Sequence, residues 1–140
     1  MFGSDRSELR QMYVDAWRKY CAGELMSPLE SQIAQVIQDH PEYQPAMTAE
    51  TLDESYTAEG GQTNPFLHMG LHLALREQLA TNRPAGIADV FESLQNKIGD
   101  RHTAEHQVLD CLAEILWVAQ NNNTAPDEQA YLDSLRRLAG

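Results

Sequence analysis

The stretch GDRHTAEHQVLDCLAEILWVAQ, residues 99–120, decides the fold. Positions 102, 106, 109, 113, 116 and 120 advance by three or four and read His, His, Leu, Ala, Leu, Gln. That step is the period of an α-helix with one inward face, and nothing in the stretch alternates with the period of two that a strand needs. Gly99 ends whatever precedes it, and Asp100 is placed to cap the new helix. The two histidines extend the apolar stripe toward the helix N-terminus.

A second stretch, NPFLHMGLHLALREQL at 64–79, repeats the arrangement. His68, Leu71, His72, Leu75 and Leu79 share a face. Asn64 is a cap with Pro65 at the first helical position. Upstream, SPLESQIAQVIQDHPEY (27–43) opens on Ser27, Pro28 and Glu30. It carries its stripe through Leu29, Ile33, Val36 and Ile37 to His40, where Pro41 ends the helix. The first helix is expected over Ser4–Ala22, with a capping box from Asp5 and Glu8 and a stripe of Leu9, Met12, Tyr13, Ala16, Trp17 and Tyr20; Gly23 closes it. Between Asn82-Arg83-Pro84 and Gly99 lies a helix with Ile87, Val90, Phe91, Leu94 and Ile98 inward. The helix of 100–120 is followed by a polar loop, Asn121–Thr124. Pro126 starts a last helix with Tyr131, Leu132, Leu135 and Leu138 inside. The chain therefore reads as all-α: one domain over 1–140, a compact bundle of about five to six helices with an up-down core of three to four longer ones. Residues 41–64 form a long connecting segment, acidic in its second half. Connections of that length are commonly functional or mobile.

Composition excludes several functions. The chain has 21 acidic against 10 basic residues, a net charge of −11. No basic cluster offsets this, so a nucleic-acid backbone or an anionic membrane is not the expected partner. A basic protein surface or a cation suits it better, and a helical bundle of this size is also compatible with a homodimer. No apolar run reaches the roughly 18–20 residues of a membrane span. The N-terminus has no signal-peptide pattern, and Cys21 and Cys111 are isolated, as in a reducing compartment. A cytoplasmic location is expected. No P-loop, GxGxxG, haem or Ser-His-Asp pattern is present.

What remains is the histidines. All five (His40, His68, His72, His102 and His106) lie on apolar stripes, four of them as two i,i+4 pairs. Spacing of four puts two side chains on one face. An imidazole in a core needs a partner, and neutral imidazole is a common ligand for iron, zinc, copper and nickel. The sequence expectation is a transition-metal site, with iron or zinc as the cofactor. His68, His72, His102 and His106 are its central ligands, and His40, Glu77, Asp110 and Glu114 are candidates to complete it. Asp110 is four residues past His106; Glu77 is rotated by about 140° from His72; Glu105 stands beside His106. The competing readings are a metal-free interaction module working through its acidic surface, with structural histidines, and a metal-free enzyme using histidine as acid or base.

The strings at 60–87 (GGQTNPFLHMGLHLALREQLATNRPAGI), 99–120, 29–43 and 1–19 resemble a small bacterial family designated only as domain of unknown function 1841. The resemblance covers nearly the whole chain. It implies a helical cytoplasmic protein and brings no activity with it. The family pattern matches at His40, His68, His72, Glu77, His102, His106, Cys111 and Glu114, without roles. The histidine inventory is also loosely similar to that of hemerythrin-like metal bundles. The HxxxE pair and the motif order of those proteins are missing here.

Overall fold

The computed structural model describes residues 2–47 and 65–140, with the side chains of the first helix from Glu8 onward. Among the described residues the fold is all-α: α1 Phe2–Ala22, α2 Pro28–Gln38, a 3-10 helix Pro41–Ala46, α3 Pro65–Thr81, α4 Ile87–Ile98, α5 Arg101–Asn122 and α6 Glu128–Ala139. The chain divides into two compact units, Met1–Leu73 and Ala74–Gly140. The expected cap at Asn64 and the acidic half of the 41–64 connection lie outside the described residues.

In the first unit α1 packs on α2. The core is Tyr13, Ala16, Ile33, Val36, Ile37, Met47, Phe66 and Met69, with Trp17, Tyr43, Ala46 and Leu73 packed against it. Tyr13 and Phe66 meet edge to face at 5.7 Å between centroids. α2 begins as the sequence reading expects. Ser27 Oγ accepts from the Glu30 amide at 3.1 Å, and Glu30 Oε1 accepts from the Ser27 amide at 2.9 Å. Glu30 also takes the Lys19 ammonium at 2.7 Å, which fastens α2 to α1. At the same end of α1, Gly23 adopts φ +70°, and the Glu24 amide reaches back to the Lys19 carbonyl, closing the helix in a left-handed turn.

Two details of α1 depart from the sequence reading. The helix starts at Phe2, so Asp5 stands inside it and does not cap it. The stripe is also rotated. Leu9 (61% exposed), Met12 and Tyr20 reach solvent, and Arg10, Tyr13, Val14 and Ala16 are buried. Arg10 goes inside because its guanidinium lies over the Phe66 ring, 4.9 Å from the centroid, where the ring's negative face meets the cation.

The second unit is built from the end of α3 and from α4, α5 and α6, which pack pairwise on one another. Its core holds Ile87, Phe91, Leu94, Val108, Leu109, Leu112, Tyr131, Leu132 and Leu135. Asp100 caps α5 through the Thr103 amide and hydroxyl, at 2.9 and 2.6 Å. Asp127 caps α6 through the Ala130 amide, so that helix opens at Glu128 and not at Pro126. α5 runs two residues further than expected, to Asn122, before Asn123 turns left-handed at φ +53°. The buried Tyr131 hydroxyl donates to Gln78 Oε1 at 2.8 Å. Burial raises its pKa, and the nearby Cys111 raises it further.

The stripe of α5 is rotated as well. Of the row expected inside, Leu109 is buried, but Ala113, Leu116 and Gln120 are exposed. The buried set is Ala104, Glu105, Val108, Leu109, Leu112 and Ala119. The row 105, 108, 112, 119 lies one residue, about 100°, from the expected one. It can turn inward because Glu105, 1% exposed, is neutralised in place by Arg76 at 3.4 Å and Arg101 at 3.0 Å.

The two cap carboxylates, Glu30 half-buried and Asp100 exposed, make stability depend on pH in a defined direction. The Lys19 ammonium, then the Ser27 amide, hold Glu30 below the ordinary glutamate range; the Thr103 hydroxyl, then its amide, do the same for Asp100. Their folded values are depressed, so their contribution is present above the ordinary unfolded values, about 4 for both types, and is lost as pH falls through the lowered ones. A urea midpoint measured from pH 6 to pH 3 is expected to fall more steeply for the wild type than for a Glu30→Gln, Asp100→Asn double variant. Parallel curves would remove the caps from that account.

Candidate metal centre

α2 ends at Gln38, and His40 follows in a non-helical conformation, φ −127° and ψ 72°. Its amide bonds to the Ile37 carbonyl. The Val36 carbonyl, which a further helical turn would have used, accepts the His40 ring instead, with Nδ1 at 2.8 Å. A carbonyl only accepts, so Nδ1 carries the hydrogen, and in the neutral ring Nε2 presents its lone pair. The ring is wholly buried.

That lone pair faces two more imidazoles. His40 Nε2 lies 3.1 Å from His72 Nε2, and His72 Nε2 lies 3.1 Å from His68 Nε2. His68 and His72 come one above the other on α3, as their spacing of four dictates. The three rings meet edge to face, with centroids 4.5–5.1 Å apart. His72, at the middle, is 0% exposed, and His68 is half-buried.

His72 Nε2 takes part in both contacts, and one ring nitrogen carries either one hydrogen or one lone pair. A single N–H there serves both neighbours only as a shared, three-centre bond to two lone pairs. A cation at the shared point meets all three lone pairs at once. Tetrahedral zinc bonds nitrogen at roughly 2.0–2.1 Å, which sets its ligand nitrogens about 3.3 Å apart. The observed 3.1 Å is close to that spacing. The carbonyl bond to His40 Nδ1 is the support that metal-bound imidazoles use to fix tautomer and ring angle.

Tyr43 is the residue that sequence reasoning missed. A 3-10 helix has three residues per turn, so positions three apart eclipse. Tyr43 therefore stacks on His40, 12° from parallel with centroids 5.4 Å apart, and meets His68 edge-on at 5.8 Å. The signal was the string HPEY, where proline starts a tight turn immediately after the histidine. Burial first, and then the Glu42 charge, raise the Tyr43 pKa and keep it a phenol.

The other candidates belong to the second unit. In the second unit the rings of His102 and His106 stand 4.2 Å apart between centroids on α5. Asp110 and Glu114 are exposed. Their charges, together with burial as the larger cause, raise the Cys111 thiol, which is thus a poor thiolate. Glu77 is exposed and lines an open groove with Gln78, Thr81, Arg83 and Glu128. Among the described residues, the group able to hold one ion contains histidines only, with no carboxylate or thiolate. No described helix is long and apolar enough to cross a membrane.

A family model described as a domain of unknown function, DUF1841, matches residues 5–137. No curated protein and no solved structure matches the chain.

Proposed function

We propose that this chain, which belongs to the domain of unknown function 1841 family, is a transition-metal protein whose ion is held by His40, His68 and His72. The observation that carries the reading is the pair of 3.1 Å Nε2 contacts sharing His72, beside a His40 ring whose Nδ1 is already committed to a carbonyl. All-imidazole donor sets suit borderline divalent ions, iron and zinc among them, and suit magnesium or calcium poorly. Glu77, His102, His106, Asp110 and Glu114 belong to the second unit and are not part of the proposed ligand set. The setting proposed for this work is the cytoplasm.

Protein made without a histidine tag is expected to carry about one equivalent of metal per chain by elemental analysis. Dialysis against a strong chelator should lower the melting temperature, and restoring zinc or ferrous ion should recover it. A metal content near zero after both growth in supplemented medium and in vitro loading, with melting unchanged by chelator, would reject the metal reading.

A further inference from the structure

The second half of α5 carries more apolar surface than its own core covers. Beyond Leu112 the helix runs on to Asn122, and of these residues only Ala119 is buried. Leu116 is 40% exposed, Trp117 64% and Val118 42%. At about 100° per residue, Trp117 stands some 200° from Ala119 and so points away from the core, with Leu116 and Val118 flanking it. Three consecutive large apolar side chains open to water mark a surface that something else covers. Charge says what kind of partner that is. Asp110 and Glu114 precede Trp117 by seven and three residues, so all three share one side of the helix. Both carboxylates are exposed, and among the described residues neither makes an ion pair. From Asp110 to Asn122 the helix has no basic residue. The nearby base is Arg137 of α6, which faces Cys111, about 100° round the helix from Asp110, and donates from Nη2 to Ser134 Oγ at 3.1 Å.

We infer that this outer face of α5 is a docking surface for a basic amphipathic helix of a partner protein. The apolar stripe of that helix covers Leu116, Trp117 and Val118. Lysines or arginines beside the stripe meet Asp110 and Glu114. Tryptophan is the side chain that most often anchors such a contact, because it buries a large rigid area at small entropic cost. The two carboxylates set orientation and partner choice more than affinity. A second copy of the chain fits this face less well, since pairing two of them brings Asp110 and Glu114 of both copies together, and like charges set against each other are unfavourable.

The test titrates the intact chain, by calorimetry, with a synthetic peptide of about 18 residues, long enough to hold a helix, that carries leucine on one helical face and lysine on the other. Two controls accompany it: the same composition in scrambled order, and the same pattern with glutamate for lysine. Saturable binding of one patterned lysine peptide per chain is expected. Trp117→Ala should weaken it by about 10-fold or more. Asp110→Asn with Glu114→Gln should weaken it several-fold and flatten its salt dependence. Leu25→Ala, at a side chain 97% exposed in the first unit, should leave it unchanged. All these positions are exposed, so circular dichroism should show the helices intact. Equal binding of either control peptide, or equal loss in Trp117→Ala and Leu25→Ala, would overturn the site. So would a chain that sediments as a dimer and becomes a monomer on Trp117→Glu, because the face would then belong to a second copy.

Discussion

Replacing His72 by alanine is expected to lower metal affinity by more than about 100-fold, the largest functional effect of any single substitution in the chain. Changes to residues that merely support a ligand typically cost 10–100-fold. His72 is more than a support: its Nε2 makes both 3.1 Å contacts, so its loss disconnects His40 from His68. The side chain is also completely buried, and alanine leaves a void that is costly in a packed core. A drop in metal content alone could then reflect misfolding. Two measurements separate the causes. Far-ultraviolet circular dichroism should show the helices retained. His72→Gln, which fills the space with an amide, should fold yet still bind metal weakly. Wild-type affinity in His72→Gln would remove the imidazole from the site.

The largest stability effect is expected at Glu105. Its carboxylate is 1% exposed and lies between Arg76 and Arg101, at 3.4 and 3.0 Å. Arg101 is 58% exposed and gives it up to water easily, whereas Arg76, at 21%, does not. Glu105→Ala removes the charge that accompanies the Arg76 guanidinium in a half-buried place. Breaking a buried ion pair from one side costs about 3–5 kcal/mol, and the lower end applies here because one arginine is solvated. Urea unfolding followed by circular dichroism should show a loss of about 3 kcal/mol for Glu105→Ala. Arg101→Ala, which removes only the exposed partner, should cost about 1 kcal/mol or less. If both variants cost the same, the carboxylate is not the member that matters.

These two residues also show how far the sequence could be read. The all-helical fold was legible because caps and glycines punctuate it: Ser27 with Glu30, Asp100 with Thr103, and Gly99 each act where the pattern puts them. The inward faces of α2, α4 and α6 were legible too, since their apolar residues make one row, apart from Leu29 in the first turn of α2, which is 47% exposed. α1 and α5 were misphased for a shared reason. Each buries a charged side chain, Arg10 or Glu105, and periodicity counts any charge as outward. What pulls each inside is a partner distant in sequence, the Phe66 ring or Arg76, which a single helix does not display. The same limit applies to the candidate site. The pairing of His68 with His72 follows from spacing alone. Their meeting with His40, 32 residues before His72, depends on how α2 and α3 pack, and so does the place of Tyr43 against His68.

The bond from His40 Nδ1 to the Val36 carbonyl has a further meaning for the chain as a heritable object. The same atom pair terminates a helix and aims a donor nitrogen. A mutation at position 40 therefore bears on both: a side chain with no N–H for the Val36 carbonyl gives up that bond together with the proposed ligand, while Pro41 still stops the helix. Selection on either would preserve both, and a transplant of the three imidazoles onto another scaffold would have to carry the last turn of α2 with it.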